Sequence, residues 1–268
     1  MEEAASETLI VGEGETARPI SAIFRRGGSP GLFWLGGFRS DMNGTKAMAL
    51  DRHAEKRGLA MTRFDYSGHG ASGGRFEDGT ISRWLEEAEA VFARLDGPQI
   101  VIGSSMGGWL AVLLAEARRQ RTGSDGAYVA GLVLIAPAVD MTRALMWAAM
   151  PEAARATLME KGVWHRPSDY SDDPYPITRD LIEDGDRHII GDRLIETGCP
   201  VYILQGIEDP DVPWRHATDL VSHLAGEDVV LTLIKDGDHR LSRAEDLDKI
   251  VGAVEALIGE TAPHNPTE

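Results

Sequence analysis

The sequence predicts an α/β protein built on a mostly parallel central sheet flanked by helices, with a small helical cap. Three observations point there. Short apolar, β-branched runs bounded by glycine, proline or aspartate recur along the chain, and helical patterns lie between most of them. The alternation then fails once, over residues 140–190, where helical pieces and prolines appear without a strand. Runs that are apolar throughout, rather than alternating, suit strands buried on both faces of a parallel sheet.

Taken in order, TLIVGEG and PISAIFRR read as an antiparallel pair at the sheet's edge. The buried strands are then LFWLGG (32–37), MTRFDYSG (61–68), QIVIGSS (99–105), GLVLIAPA (131–138), PVYILQG (200–206) and VVLTLIKDG (229–237). Helical spacing covers 47–57, 81–95 and 109–119, and recurs through Trp214, Ala217, Leu220 and Leu224. The last helix carries Leu247, Ile250, Val251, Val254, Leu257 and Ile258 on one face, and Ser242 with Glu245 three residues on reads as its capping box. The tail from Gly259, with Pro263 and Pro266, is expected to fray. Residues 140–190 are too many for a simple connection and read as a cap inserted after GLVLIAPA. The core domain is therefore 1–139 with 191–268, and the helical cap insertion is 140–190.

A chain of 268 residues with 43% hydrophobic and 26% charged residues has the make-up of a soluble globular domain. Its formal charge of −16 sets its own field against polyphosphate backbones, so nucleic acid is excluded as the expected partner. Cys199 is the only cysteine, which rules out an intramolecular disulfide and a thiolate metal cluster and fits a reducing compartment. The opening stretch MEEAASETLIVGEGET is acidic, lacking both the apolar core of a secretory signal and the arginines of a transit segment. No charge-free apolar run approaches the ~20 residues of a membrane span. A cytosolic, cytoplasmic location is expected on these grounds.

The chemistry concentrates at Gly103-Ser104-Ser105-Met106-Gly107, which fits G-x-S-x-G between a strand and a helix. Such a turn exposes its serine at a sharp bend, where side chains two residues either side would collide, hence glycine at both. Ser105 has Gly103 and Gly107 at those offsets, whereas Ser104 has Ile102 and Met106; Ser105 is the candidate nucleophile.

A serine hydroxyl needs a base to take its proton, and the base needs an acid to fix its tautomer. His239 follows the final strand in IKDGDHRLS and is the candidate base. The other histidines lie in helices, in the cap or in the tail, except His69, which stands at a strand end in DYSGHGAS as a polar turn residue or a substrate contact. Among Glu208, Asp209 and Asp211 in the loop after PVYILQG, Asp209 is favoured as the acid, because capping of the following helix accounts for Asp211. The oxyanion donors are expected to be the backbone N–H groups of Met106, at a helix start, and Phe38, with Gly37 allowing close approach.

LGGFRSDMNGTKA, RFDYSGHGASGG, GPQIVIGSSMGGWLA, KGVWHRPSDY, DPDVPW and DGDHR together resemble the α/β-hydrolase superfamily, in the branch holding the mitochondrial palmitoyl-protein thioesterase that also acts on acyl glucuronides and related bacterial serine esterases. The resemblance implies the α/β-hydrolase fold, a Ser105–Asp209–His239 triad and a cap closing over an acyl pocket. It implies a serine carboxylesterase or thioesterase acting on a small-molecule ester or thioester through an acyl-enzyme, with no metal or organic cofactor. Leu145, Met146, Trp147, Met150, Leu158 and Met159 form an apolar cap face that either packs the cap or lines the pocket; Met146, Trp147 and Met150 are the expected substrate contacts, beside Gly37. A peptidase of the same fold and a noncatalytic ligand-binding member are the alternatives.

Overall fold

The computed structural model describes residues 4–119, 126–167 and 174–261. In chain order it contains β1 (Ala5–Val11), β2 (Arg18–Arg25), β3 (Gly28–Leu35), α1 (Thr45–Arg57), β4 (Leu59–Phe64), α2 (Ile81–Phe92), β5 (Gly97–Ser104), α3 (Met106–Arg119) and β6 (Ala127–Ile135). After these come α4 (Glu152–Lys161), β7 (Val163–Arg166), β8 (Tyr175–Thr178), α5 (Arg179–Gly185), β9 (Val201–Gly206), α6 (Trp214–His223), β10 (Val229–Ile234) and α7 (Ala244–Thr261).

Eight strands form the main sheet in the order β1-β2-β4-β3-β5-β6-β9-β10. β1 pairs antiparallel with β2, and β2 with β4; every pair from β4 through β10 is parallel. The expected antiparallel edge and parallel centre are both present. Successive side chains of a strand leave opposite faces. Phe33, Leu35, Val101, Leu132 and Leu134 therefore enter the layer with α2, α3 and α6, while Leu32, Trp34, Ile100, Ile102, Val133 and Ile135 enter the layer with α1 and α7. Covering on both faces is what allows β3, β5 and β6 to be apolar throughout.

The direction of crossover reverses at β3, since the chain goes from β3 to β4 on one side and then returns to β5 on the other. A reversal of this kind opens a crevice at the carboxyl ends of the strands. The loops that leave β3, β5, β6, β9 and β10 all emerge there.

Two local expectations are corrected. The start of α7 is capped one residue later than the Ser242/Glu245 box: Asp246 Oδ2 accepts the Arg243 N–H at 3.2 Å, and the Ser242 hydroxyl instead donates to Arg240 O at 3.0 Å. Residues 140–190 are not wholly helical either, because β7 pairs antiparallel with β8. Trp164, Tyr175 and Ile177 are good strand formers, but four-residue strands are too short to show periodicity in the sequence.

Within that segment, Thr142–Trp147 is π-helical. The segment has a core of its own in Met150, Ala154, Leu158, Ile177 and Ile182. It is tied to the main domain where Asp184 accepts the Ser82 N–H and hydroxyl, each at 2.8 Å. Tyr170 and the expected frayed end at Pro263 and Pro266 lie outside the described residues.

Candidate active site

Ser105 occupies the bend between β5 and α3 with φ 56, a left-handed conformation that favours glycine. Its peptide groups are held on both sides: the N–H donates to Ile135 O at 2.9 Å, and the carbonyl accepts from Gly108 at 2.9 Å and Ala138 at 3.1 Å. A Cβ on residue 103 would stand 2.2 Å from Gly107 O, and one on residue 107 would stand 2.1 Å from Leu35 O. Both flanking glycines are thus dictated by the close approach of backbone to backbone.

His239 lies in the loop after β10, with Nε2 3.1 Å from Ser105 Oγ and Nδ1 2.8 Å from Asp209 Oδ2. Asp209 is buried in the loop after β9 and accepts three further bonds: Oδ1 from the N–H groups of Asp211 (2.9 Å) and Val212 (2.8 Å), and Oδ2 from Gln205 Nε2 (3.1 Å). A carboxylate oriented this way accepts the Nδ1–H hydrogen bond, which fixes the tautomer and leaves the Nε2 lone pair facing the serine. The two loops are laced together, with Glu208 N–H donating to Gly237 O at 3.0 Å. Lys46 Nζ donates to Arg240 O, and burial pushes the lysine pKa down to about 8.

The remaining carboxylates have other partners. Asp236 binds Arg243 at 2.7 Å, Asp238 accepts the Leu241 N–H at 2.9 Å, and Glu208 is exposed. Asp211 lines the cleft shortly before α6, whose first turn follows Pro213. Asp209, Asp211 and His239 offer ligand atoms within 4.8 Å of one another, but the Asp209 oxygens already accept four bonds and His239 Nδ1 is turned to one of them. That arrangement aims the carboxylate at the imidazole rather than at a shared cation.

Gly37 brings the loop after β3 against the bend, since a Cβ there would lie 3.4 Å from Ser105 Cβ and 3.2 Å from Ser104 O. The Phe38 ring packs edge-on to Phe76 (4.9 Å), Trp84 (5.9 Å) and Tyr175 (5.8 Å). Met106 opens α3 and is fully buried.

A cleft of about 620 Å³ runs over Ser105 and His239, with Gly37 and Phe38 on one wall and Met141, Leu145, Met146 and Ala149 on another. Of the expected cap contacts Met146 lines it, whereas Trp147 and Met150 do not. The guanidinium groups of Arg143 (5.0 Å) and Arg155 (5.2 Å) stand over the Trp147 ring, and Met150 is 4% exposed within the inserted segment's own core. The wide π-helical turn presents residues 141, 145, 146 and 149 to the cleft and carries Trp147 to another side.

Sequence reasoning also missed the polar lining: Arg39, Lys46 and Arg240 reach the cleft from loops and a helix start that carry no local mark of it. His165 is exposed, but Arg166 lines the cleft.

A parallel sheet with a strained serine at its carboxyl edge, followed in the chain by an acid and a histidine, is the design of one class of hydrolases. The chain matches the Alpha/beta hydrolase family over residues 27–253 and belongs to it. It is similar to the mitochondrial palmitoyl-protein thioesterase ABHD10 of Bos taurus, at 36% identity over 235 residues, 87% of this chain and 74% of that protein. The human counterpart is 34% identical over the same shares. Among solved structures, a putative hydrolase from Agrobacterium vitis S4 superposes with a TM-score of 0.93 at 49% identity, covering 96% of this chain and 100% of that one. Mouse alpha/beta hydrolase domain-containing protein 10 gives a TM-score of 0.84 at 30% identity, covering 96% and 99%.

These relatives support ester or thioester hydrolysis. They also overturn the expected cytosolic location, because the curated relatives are mitochondrial proteins. Neither a single cysteine nor an acidic stretch specifies a compartment. Among the described residues no helix is long and apolar enough to cross a membrane.

Proposed function

We propose that this chain is a serine hydrolase that cleaves carboxylic esters or acyl thioesters through Ser105, His239 and Asp209. The observation that carries the reading is the continuous line from the Ser105 hydroxyl to His239 Nε2 at 3.1 Å and from His239 Nδ1 to Asp209 at 2.8 Å. His239 takes the Ser105 proton as the oxygen attacks the acyl carbon, and Asp209 stabilises the imidazolium that forms. The Phe38 and Met106 amides receive the oxyanion, a role supported by the approach of Gly37 to Ser105 and by the place of Met106 at the first position of α3.

His239 then returns the proton to the leaving alcohol or thiol, the acyl-enzyme remains on Ser105, and water activated by His239 releases the acid. Residues 140–190 act as the cap over the acyl group, with Met141, Leu145, Met146 and Ala149 as its apolar wall. The name of the curated relatives supports the thioester.

Ser105→Ala tests the reading. Turnover of p-nitrophenyl butyrate is expected to fall about 10⁶-fold. Labelling by a fluorophosphonate is expected to disappear with it, while the melting temperature holds. Near-normal turnover by this variant would sink the assignment, and a wild-type chain that binds esters without turning them over would make it a noncatalytic binding member. Faster cleavage of aminoacyl amides than of esters would make it a peptidase.

A further inference from the structure

His69 is the one histidine of the strand-end loops that the hydrolytic reading leaves without a task. It is 5% exposed and does not line the cleft. Tyr66 (5.8 Å), Phe76 (5.1 Å) and Trp84 (5.4 Å) stand edge-on around its ring, yet both nitrogens reach main-chain partners. Nδ1 lies 3.1 Å from Ser67 O, and Nε2 lies 3.1 Å from the Arg39 N–H. A carbonyl only accepts and an amide only donates, so the proton is on Nδ1 and the lone pair of Nε2 faces Arg39. Burial, helped by the nearby Arg39 charge, pushes the His69 pKa down to about 4, and the ring is neutral at physiological pH.

The residue it holds is strained. Arg39 has φ 57 while Phe38 is absent from the left-handed region, and Ser40 N–H donates to Gly37 O at 3.1 Å. Gly37–Ser40 is therefore a type II turn with arginine where glycine is preferred. A non-glycine residue is strained there, because its Cβ crowds the backbone. A rotation of the Phe38–Arg39 peptide would relieve it by returning the turn to type I. The same rotation would point the Arg39 N–H away from His69 and disturb Phe38, whose amide is the oxyanion donor in the reading above.

We propose that His69 is a positioning residue for the hydrolytic reaction: its Nε2 lone pair anchors the Arg39 amide, locks the strained turn and keeps the Phe38 N–H aimed at the oxyanion. The proposal rests on the assignment of Ser105 and Phe38. It assigns His69 no contact with substrate, so its effect belongs to kcat rather than KM.

The test compares His69→Gln with His69→Asn, both of similar polarity. Glutamine carries an acceptor about as far as Nε2, whereas asparagine reaches only to the place of Nδ1. With p-nitrophenyl butyrate, His69→Asn is expected to lower kcat at least about 10-fold, a loss of the size produced by small misplacement of reacting groups. KM is expected to stay within about 2-fold of wild type, because no ground-state contact is removed. Affinity for an aryl trifluoromethyl ketone, whose adduct carries an oxyanion, is expected to fall by the same factor as kcat. His69→Gln is expected to restore most of both.

Wild-type kcat in His69→Asn, or equal losses in the two variants that track a lowered melting temperature, would overturn the anchoring role. Ser105→Ala separates the two levels. If that variant is inactive while His69→Asn is unaffected, only the His69 proposal fails; if it remains active, the reading beneath it fails.

Discussion

Ser105 and His69 show two ways in which one residue is read. Ser105 announces itself, because its neighbours at −2 and +2 must be glycine for backbones to pass at little more than 2 Å from where a Cβ would sit. Asp209 is one of three acids in its loop, and its three extra donors, two main-chain N–H groups and Gln205, follow from how that loop closes on itself. His69 reads as a polar turn residue or a substrate contact; it does sit in a turn, its N–H donating to Tyr66 O at 3.0 Å, but its ring does not line the cleft and is buried among aromatic rings that lie apart in sequence.

Burial of His69 has a consequence for stability. Its folded pKa of about 4 lies below its ordinary value of 6.5, so the unfolded chain binds the extra proton between these limits. The native state therefore loses stability as pH falls from about 6.5 to about 4 and has no penalty from this group above that window. His69→Gln, which cannot take up that proton, is expected to show a smaller drop in urea midpoint between neutral and acid pH than wild type. An equal drop in the two proteins would contradict a buried neutral ring.

The strands and helices of the main domain were plain from alternation, because a run apolar throughout and a 3.6-residue spacing are each properties of consecutive residues. The 140–190 segment was less so. Its hairpin strands are four residues each, and its π-helical turn sets a different face toward the cleft from the one an α-helical spacing would choose. Met146 and Trp147 are adjacent in sequence, yet only Met146 lines the cleft. Met146→Phe is expected to lower kcat/KM for long acyl p-nitrophenyl esters relative to the acetate, since a rigid ring larger by about one methylene replaces a side chain that can bend aside. Trp147→Ala is expected to leave that chain-length profile unchanged. A shift with Trp147→Ala and none with Met146→Phe would reverse the assignment of faces.

Across the whole molecule, the formal charge of −16 coexists with a cleft lined by Arg39, Lys46, Arg166 and Arg240. The charge excess is a property of the surface as a whole, and self-repulsion at low ionic strength opposes compactness. Raising salt from about 10 to about 100 mM shortens the screening length from ~30 to ~10 Å. The melting temperature is expected to rise over that range, as followed by circular dichroism at fixed pH. A fall would mean that favourable surface pairs outweigh the net repulsion. Buried pairs are less sensitive to salt; Arg18 and Glu87, both buried, fasten β2 to α2 in this way.

Legible in the amino-acid sequence alone are the alternating elements, the parallel sheet with its antiparallel edge, the bend at Ser105 and the chain order of Ser105, Asp209 and His239. These follow from local polarity, local spacing and the steric needs of one turn. Packing alone settles which lone pair accepts the Arg39 N–H, which face of the 140–190 segment meets the cleft and which cations line it. Those outcomes depend on distances between segments remote along the chain: Ser105 and His239 are 134 positions apart, and no pattern among consecutive residues encodes how the packed sheet brings such groups within hydrogen-bonding reach.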